Sequence, residues 1–291
     1  MEILRKYPTD VQSFEKIIEG GFMYVDKTAY IYQLVSTKFQ CFLSRPRRFG
    51  KSLLISTMQA YFEGRKELFK GLAIERLEKD WISYPVIKFA LNTVDPKTPF
   101  SLINAISSIF TRYEEQYGIS IREKELSDRF ANILLAAYKS TGRKVVVLVD
   151  EYDGPLLSTL ERPMLNESYR DTLKSIFSVL KSYDEYIKFA FVTGVSRFSH
   201  TSLFSGANHL KDISFWEDYS AICGITEEEL KNVFTASIKE LAAKLKTSEE
   251  ETLRRLKENY DGYHFCQDSP DIYNPYSILN AFESKKIGNF W

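Results

Sequence analysis

The run Arg45-Pro46-Arg47-Arg48-Phe49-Gly50-Lys51-Ser52 and the later pair Asp150-Glu151 hold the residue types that handle phosphate. A turn ending in Gly-Lys-Ser aims several backbone N–H groups at one anion, and the helix that follows adds its positive end. Lys51 then reaches the outer phosphates, and the Ser52 hydroxyl suits a magnesium ion. The two acids supply the other half of the chemistry. Asp150 is expected to order the metal shell and Glu151 to activate a water. Pro46, Arg47, Arg48, Phe49, Gly50 and Leu53 are the remaining expected binding residues around Lys51 and Ser52.

The loop departs from the usual pattern at its first position, where Arg45 stands in place of glycine and Pro46 follows. Arginine resists the positive φ that glycine tolerates, and proline lacks a donor N–H. The loop is therefore expected to hold phosphate with a different backbone, helped by Arg47 or Arg48. Taken alone, the run also reads as a basic turn capping a helix. The buried strand ending in Asp-Glu favours the nucleotide reading, with the loop as Walker A and the acids as Walker B.

These residues need a scaffold that brings them together. The apolar run 39–43 reads as a strand before the loop. After it comes a helix with Leu54, Met58 and Tyr61 on one face, stopped at Glu63-Gly64. Pro85–Leu91 is a second strand, and helices are expected over 100–116 and about 128–139, with Gly142 as a stop. Lys144–Asp150 is continuously β-branched, as in a strand buried on both faces. A helix from about Ser168 to Tyr183 leads to a strand over Ile187–Thr193, with Gly194-Val195-Ser196-Arg197 at its end. Ligands in open α/β sheets sit beyond the carboxyl ends of strands. Thr193 or Ser196 is thus expected to sense the γ-phosphate and Arg197 to neutralise charge. The loop 198–210, rich in Ser, Gly and Asn, is expected to be mobile and to cover the site.

Upstream, Gly20-Gly21 marks a turn, and Thr28 is expected to cap a helix through Leu34 and Val35. Many ATPases place residues beside the adenine there, but from the pattern alone a packing helix is the better reading. Strands alternating with helices predict right-handed crossovers and an α/β fold with a mostly parallel sheet. The alternation stops near Cys223-Gly224. Capping boxes at Thr226–Glu229 and Thr247–Glu250, and Asn274-Pro275 before a last helix, make the remainder helical. The division expected is 1–223 and 224–291. The aromatic turns at 260–265 and 273–277 read as packing.

The chain has 291 residues, 44% apolar and 27% charged, an ordinary globular composition that excludes a disordered one. Lys plus Arg equals Asp plus Glu at 39 each, so no global field favours nucleic acid. Cys41, Cys223 and Cys266, odd in number and far apart, suggest a reducing compartment, and His200, His209 and His264 are isolated. With no membrane-length apolar run and no signal peptide at the N-terminus, a cytoplasmic location is expected.

With these residues in hand, the chain resembles the AAA-ATPase-like family of bacterial proteins. The resemblance rests on Tyr24-Val25-Asp26-Lys27-Thr28, the loop from Arg45 to Leu53, Val149-Asp150-Glu151-Tyr152-Asp153 and Thr193-Gly194-Val195-Ser196-Arg197-Phe198. Gly224-Ile225-Thr226-Glu227-Glu228-Glu229, Tyr260-Asp261-Gly262-Tyr263 and Tyr273-Asn274-Pro275-Tyr276 extend it over nearly the whole chain. Arg45 at the loop's first position is typical of that family. The resemblance implies an ASCE-type P-loop NTPase fold followed by a helical lid, with ATP and Mg2+ as cofactors and Asp26 and Lys27 near the adenine. Such proteins often carry a PD-(D/E)XK nuclease-like domain next. None is evident here, so the chain is expected to be a piece lacking that partner.

The leading expectation is a magnesium-dependent, ATP-hydrolysing conformational switch. A non-catalytic nucleotide sensor is one rival, against which Glu151 argues. A nucleic-acid-associated module using Arg45, Arg47 and Arg48 is another. Oligomerisation is left open.

Overall fold

The computed structural model describes residues 6–37, 40–91, 94–120, 124–197 and 210–290. The covering loop expected over 198–210, apart from Leu210, lies outside the described residues, as do His200 and His209. Five strands form one sheet among the described residues: β1 (Cys41–Ser44), β2 (Val86–Ala90), β3 (Val145–Asp150), β4 (Ile187–Gly194) and β5 (Lys211–Asp212). Their order is β2-β3-β4-β1-β5, and every pairing is parallel. The carboxyl ends of the loop strand β1 and the acid strand β3 therefore share one edge, with β4 inserted between them.

Strand β3 shows why this sheet needs covering on both faces. All six of its residues are buried. Val145, Val147 and Val149 pack into one cluster with the helices Pro99–Gln116, Leu126–Thr141 and Pro163–Ser182. Val146 and Leu148 pack into another with Phe14–Glu19, Thr28–Ser36 and Lys51–Phe62. Each such side chain contributes about 1.5–3 kcal/mol on full burial. An alternating strand would have left one face bare.

Several local expectations shift. Thr28 is the first residue of its helix rather than the cap. The Asp26 carboxylate accepts from the Thr28 N–H at 2.8 Å and also from its hydroxyl. The helix expected from Ser168 starts at Pro163, a residue suited to the first turn because it needs no N–H there. Ser248, not Thr247, caps Glu249–Tyr260 by accepting from Glu251 N.

Beyond the sheet, β6 (Ile225–Thr226) and β7 (Ile272–Tyr273) pair antiparallel, amid helices ending with Pro275–Ser284. The Thr226–Glu229 capping box forms in both directions, and Asn274 caps the last helix with Pro275 at its start. A third apolar cluster joins Leu230, Phe234, Leu256 and Phe282 to Met23, so the N-terminal segment packs on this unit. Among the described residues, no helix is long and apolar enough to cross a membrane.

Candidate functional site

The loop between β1 and Lys51–Phe62 resolves the question of Arg45. Arg45 keeps an ordinary backbone, and the positive φ values fall at Arg48 (66°) and Gly50 (89°). The Arg45 side chain is 1% exposed and turns away from the loop mouth. It donates to the carbonyls of Ser44 and Ser214 at 2.9 and 2.8 Å, and of Tyr219 and Ser220 at 3.0 and 3.3 Å. Its guanidinium lies 3.8 Å from the Phe265 ring centroid. Burial pushes its pKa down to about 10, so it remains a cation at neutral pH. Arg45 is thus an internal brace, out of reach of a polymer's phosphates. Arg48 is exposed and stacks at 3.9 Å on Tyr276 of the last helix, while Arg47 is exposed and lies close enough to Glu151 to oppose the rise in its pKa.

Gly50 stands at the head of Lys51–Phe62, and among the described residues no side chain caps the first-turn N–H groups. A Cβ at Gly50 would meet nothing within 4 Å. Open backbone donors at a helix N-terminus suit an anion. Lys51 is buried, and its ammonium donates to the carbonyls of Arg45 and Pro46, both at 2.9 Å. Burial holds it below the ordinary lysine range, opposed by nearby Asp150, Glu151 and Asp153. The lysine and the acids therefore occupy one neighbourhood.

The acid turn is stitched to the tip of β4. Thr193 Oγ1 donates to Asp150 Oδ1 at 3.0 Å, and Tyr152 N donates to the Thr193 carbonyl at 3.1 Å. Asp153 Oδ2 accepts from the N–H groups of Val195 and Ser196 at 2.8 and 2.6 Å, while its buried Oδ1 has no partner among the described residues. Glu151 adopts φ 50°, a left-handed conformation that costs about 1–3 kcal/mol and clusters at functional positions. Burial first, then Asp150, raise the Glu151 carboxyl above its ordinary range. Asp153 had no spacing signal of its own. It was visible only as the end of Val149-Asp150-Glu151-Tyr152-Asp153.

Two clefts flank the loop. A polar one is lined by Ser52, Ser56, Gln59, Lys88 and Asp150, among others. Serine hydroxyl and aspartate carboxylate are the hard oxygen donors that magnesium takes beside water and phosphate. Ser52 and Asp150 share this cleft, and Thr193 orients the carboxylate as an outer partner. The second cleft is apolar and includes Met23, Tyr24, Lys27, Gly50, Leu53 and Cys223 in its wall.

The other expected site residues have partners of their own. Asp26 is committed to capping Thr28 and, at 2.7 Å, Ala73 N, and it does not line the apolar cleft. Lys27 does line it, with its ammonium on both Glu229 oxygens at 2.6 Å. The Phe49 side chain is plugged between Tyr263 and Phe265 at 4.6 and 5.8 Å, and Phe49 also belongs to the wall of the apolar cleft. Arg197 does not join the acids. It pairs with Asp212 of β5 at 2.7 Å and covers Phe215 at 4.5 Å.

Residues 8–204, which include the loop, the acid turn and the β4 tip, match the family model described as Predicted AAA-ATPase. The chain belongs to that family. Over 289 residues it is also 37% identical to "Uncharacterized protein in vnfD 5'region" of Azotobacter chroococcum mcd 1, covering 99% of this chain and 54% of that protein. The chain thus spans about half the length of this curated relative. Membership in the Predicted AAA-ATPase family supports nucleotide binding.

Proposed function

We propose that the chain binds ATP with magnesium at the 45–53 loop and hydrolyses it, acting as a conformational switch. The observation that carries this reading is the convergence of Lys51, Asp150, Glu151 and Thr193 at one sheet edge. The strand inserted between β1 and β3 supports an ASCE-type arrangement. In it, 1–223 is the ATPase-like unit and 224–291 the lid.

In this reading the amides from Arg47 to Ser52 and the Lys51 ammonium hold the β- and γ-phosphates. Ser52 and Asp150 hold magnesium, which when bound supplies charge neutralisation at the phosphates. Glu151 orients and deprotonates the attacking water, and its raised pKa makes it a better base near neutrality. Thr193 reads the γ-phosphate while fixing Asp150. The apolar cleft takes the base, with Lys27 in its wall. Arg48 on Tyr276 and Phe49 on Tyr263 give the loop a direct mechanical link to the lid. A nuclease-like partner domain is one candidate target for that switch, and the greater length of the relative leaves room for further domains.

Phosphate release from MgATP by wild type, Lys51→Ala and Glu151→Gln tests this. Wild-type turnover is expected, with binding lost in K51A and turnover but not binding lost in E151Q. A wild type that binds ATP without releasing phosphate would instead establish a sensor.

A further inference from the structure

Two cations that the site as described leaves unused line the polar cleft, Lys88 and Arg65, and Arg65 is already paired with Glu15 and Glu67. Lys88 lies on the edge strand β2 and lines the same cleft as Ser52 and Asp150. Its register partner is Leu148, and Ala90, two residues on, is paired with Asp150. Residues two apart share a face of a strand, so Lys88 and Asp150 face the side covered by Lys51–Phe62. The offset is about 6.6 Å along the strand, which the four-carbon stem of lysine spans.

The ammonium is also available. Among the described residues it touches only the neutral Gln59 Oε1, at 3.3 Å, and no carboxylate lies within ion-pair distance. Glu15 pairs with Arg65, and Glu63 accepts from Gln59 Nε2. Arg197, the other candidate for neutralising charge, is held by Asp212 on the opposite edge of the sheet.

We infer that Lys88 is the second cation of the nucleotide site. It leaves Gln59 and contacts a terminal oxygen of the bound triphosphate on the side of Ser52 and Asp150. The ligand class is a tetrahedral oxyanion in the γ position, so Lys88 distinguishes triphosphate from diphosphate. This rests on the nucleotide reading above. A plainer role, an inward-pointing charge that protects a sheet edge from pairing, would leave that discrimination unchanged.

Calorimetric titration of the whole chain with MgADP and with the slowly hydrolysed MgATPγS separates these roles. Wild type is expected to prefer the triphosphate. Lys88→Met should weaken triphosphate binding by about tenfold and leave diphosphate binding unchanged, with Lys88→Arg restoring most of the loss. An unchanged affinity ratio in K88M overturns the inference while the nucleotide reading survives. Wild type that binds neither ligand overturns both. If K88M fails to fold, K88R and Lys88→Gln carry the same comparison, and an unchanged ratio in K88Q is equally decisive.

Discussion

Arg45→Gly would restore the residue that a common P-loop carries, yet this chain should lose stability by it. The wild-type backbone at 45 is not left-handed, so glycine's freedom relieves nothing there. Instead, four carbonyls lose the Arg45 donor, with three of those bonds at 3.0 Å or shorter, and among the described residues only Tyr219 keeps another donor, the Ile222 N–H at 3.2 Å. Each orphaned acceptor costs about 1–3 kcal/mol, and the added backbone entropy about 0.5–1 kcal/mol. Returning a buried cation to water recovers several kcal/mol of desolvation. The remainder is a loss on the order of 3 kcal/mol, a large share of a typical total of roughly 5–15 kcal/mol. Urea unfolding at an unchanged m-value reads it directly. Arg45→Met, which keeps much of the volume but none of the donors, should lose nearly as much. An R45G protein with the wild-type midpoint would refute the brace and return Arg45 to the phosphate.

Glu151→Gln should melt higher than wild type near neutral pH. The native carboxyl titrates above its unfolded value, so wild type loses stability as pH rises from the unfolded value, about 4.3, through the native one. The variant escapes that loss, and the gap should close in acid; equal melting curves at pH about 7.5 would deny the raised carboxyl. Gly194→Ala places a Cβ 2.5 Å from the Tyr152 ring and 2.7 Å from Asp153 Oδ1. It should cost about 1–3 kcal/mol and slow turnover more than it weakens binding, because Thr193 moves off Asp150. An unaltered kcat would show the β4 tip to be dispensable. Tyr276→Ala removes the platform under Arg48, worth about 0.5–1 kcal/mol at an exposed site. Nucleotide affinity should then change more than melting temperature does, with Tyr276→Phe near wild type; a reversed order in the melting and binding data counts against the loop-to-lid link.

What the sequence displayed was mostly local. The uniform β-branched run of β3 announced a strand covered on both faces, and the Thr226–Glu229 box and Asn274-Pro275 placed helix starts because capping is settled within a few residues. Strand order was not legible from spacing, since inserting β4 between β1 and β3 depends on crossovers rather than on neighbours. The destination of Arg45 also lay in distant carbonyls at Ser214, Tyr219 and Ser220, and that of Lys27 in Glu229. The expectation of Asp26 near the adenine rested on the family resemblance alone, whereas its capping of Thr28 is a local contact. Lys88 sits in an apolar strand sequence whose alternation gives no hint of the cleft it shares with Ser52.

The most direct test is a crystal structure of the chain with magnesium and ATPγS. The account predicts that Lys51 releases the carbonyls of Arg45 and Pro46 for the phosphate oxygens, with the metal about 2.0–2.1 Å from Ser52 Oγ and on the Asp150 side of the cleft. A nucleotide bound away from this edge, with Lys51 still folded onto its own loop, would contradict it.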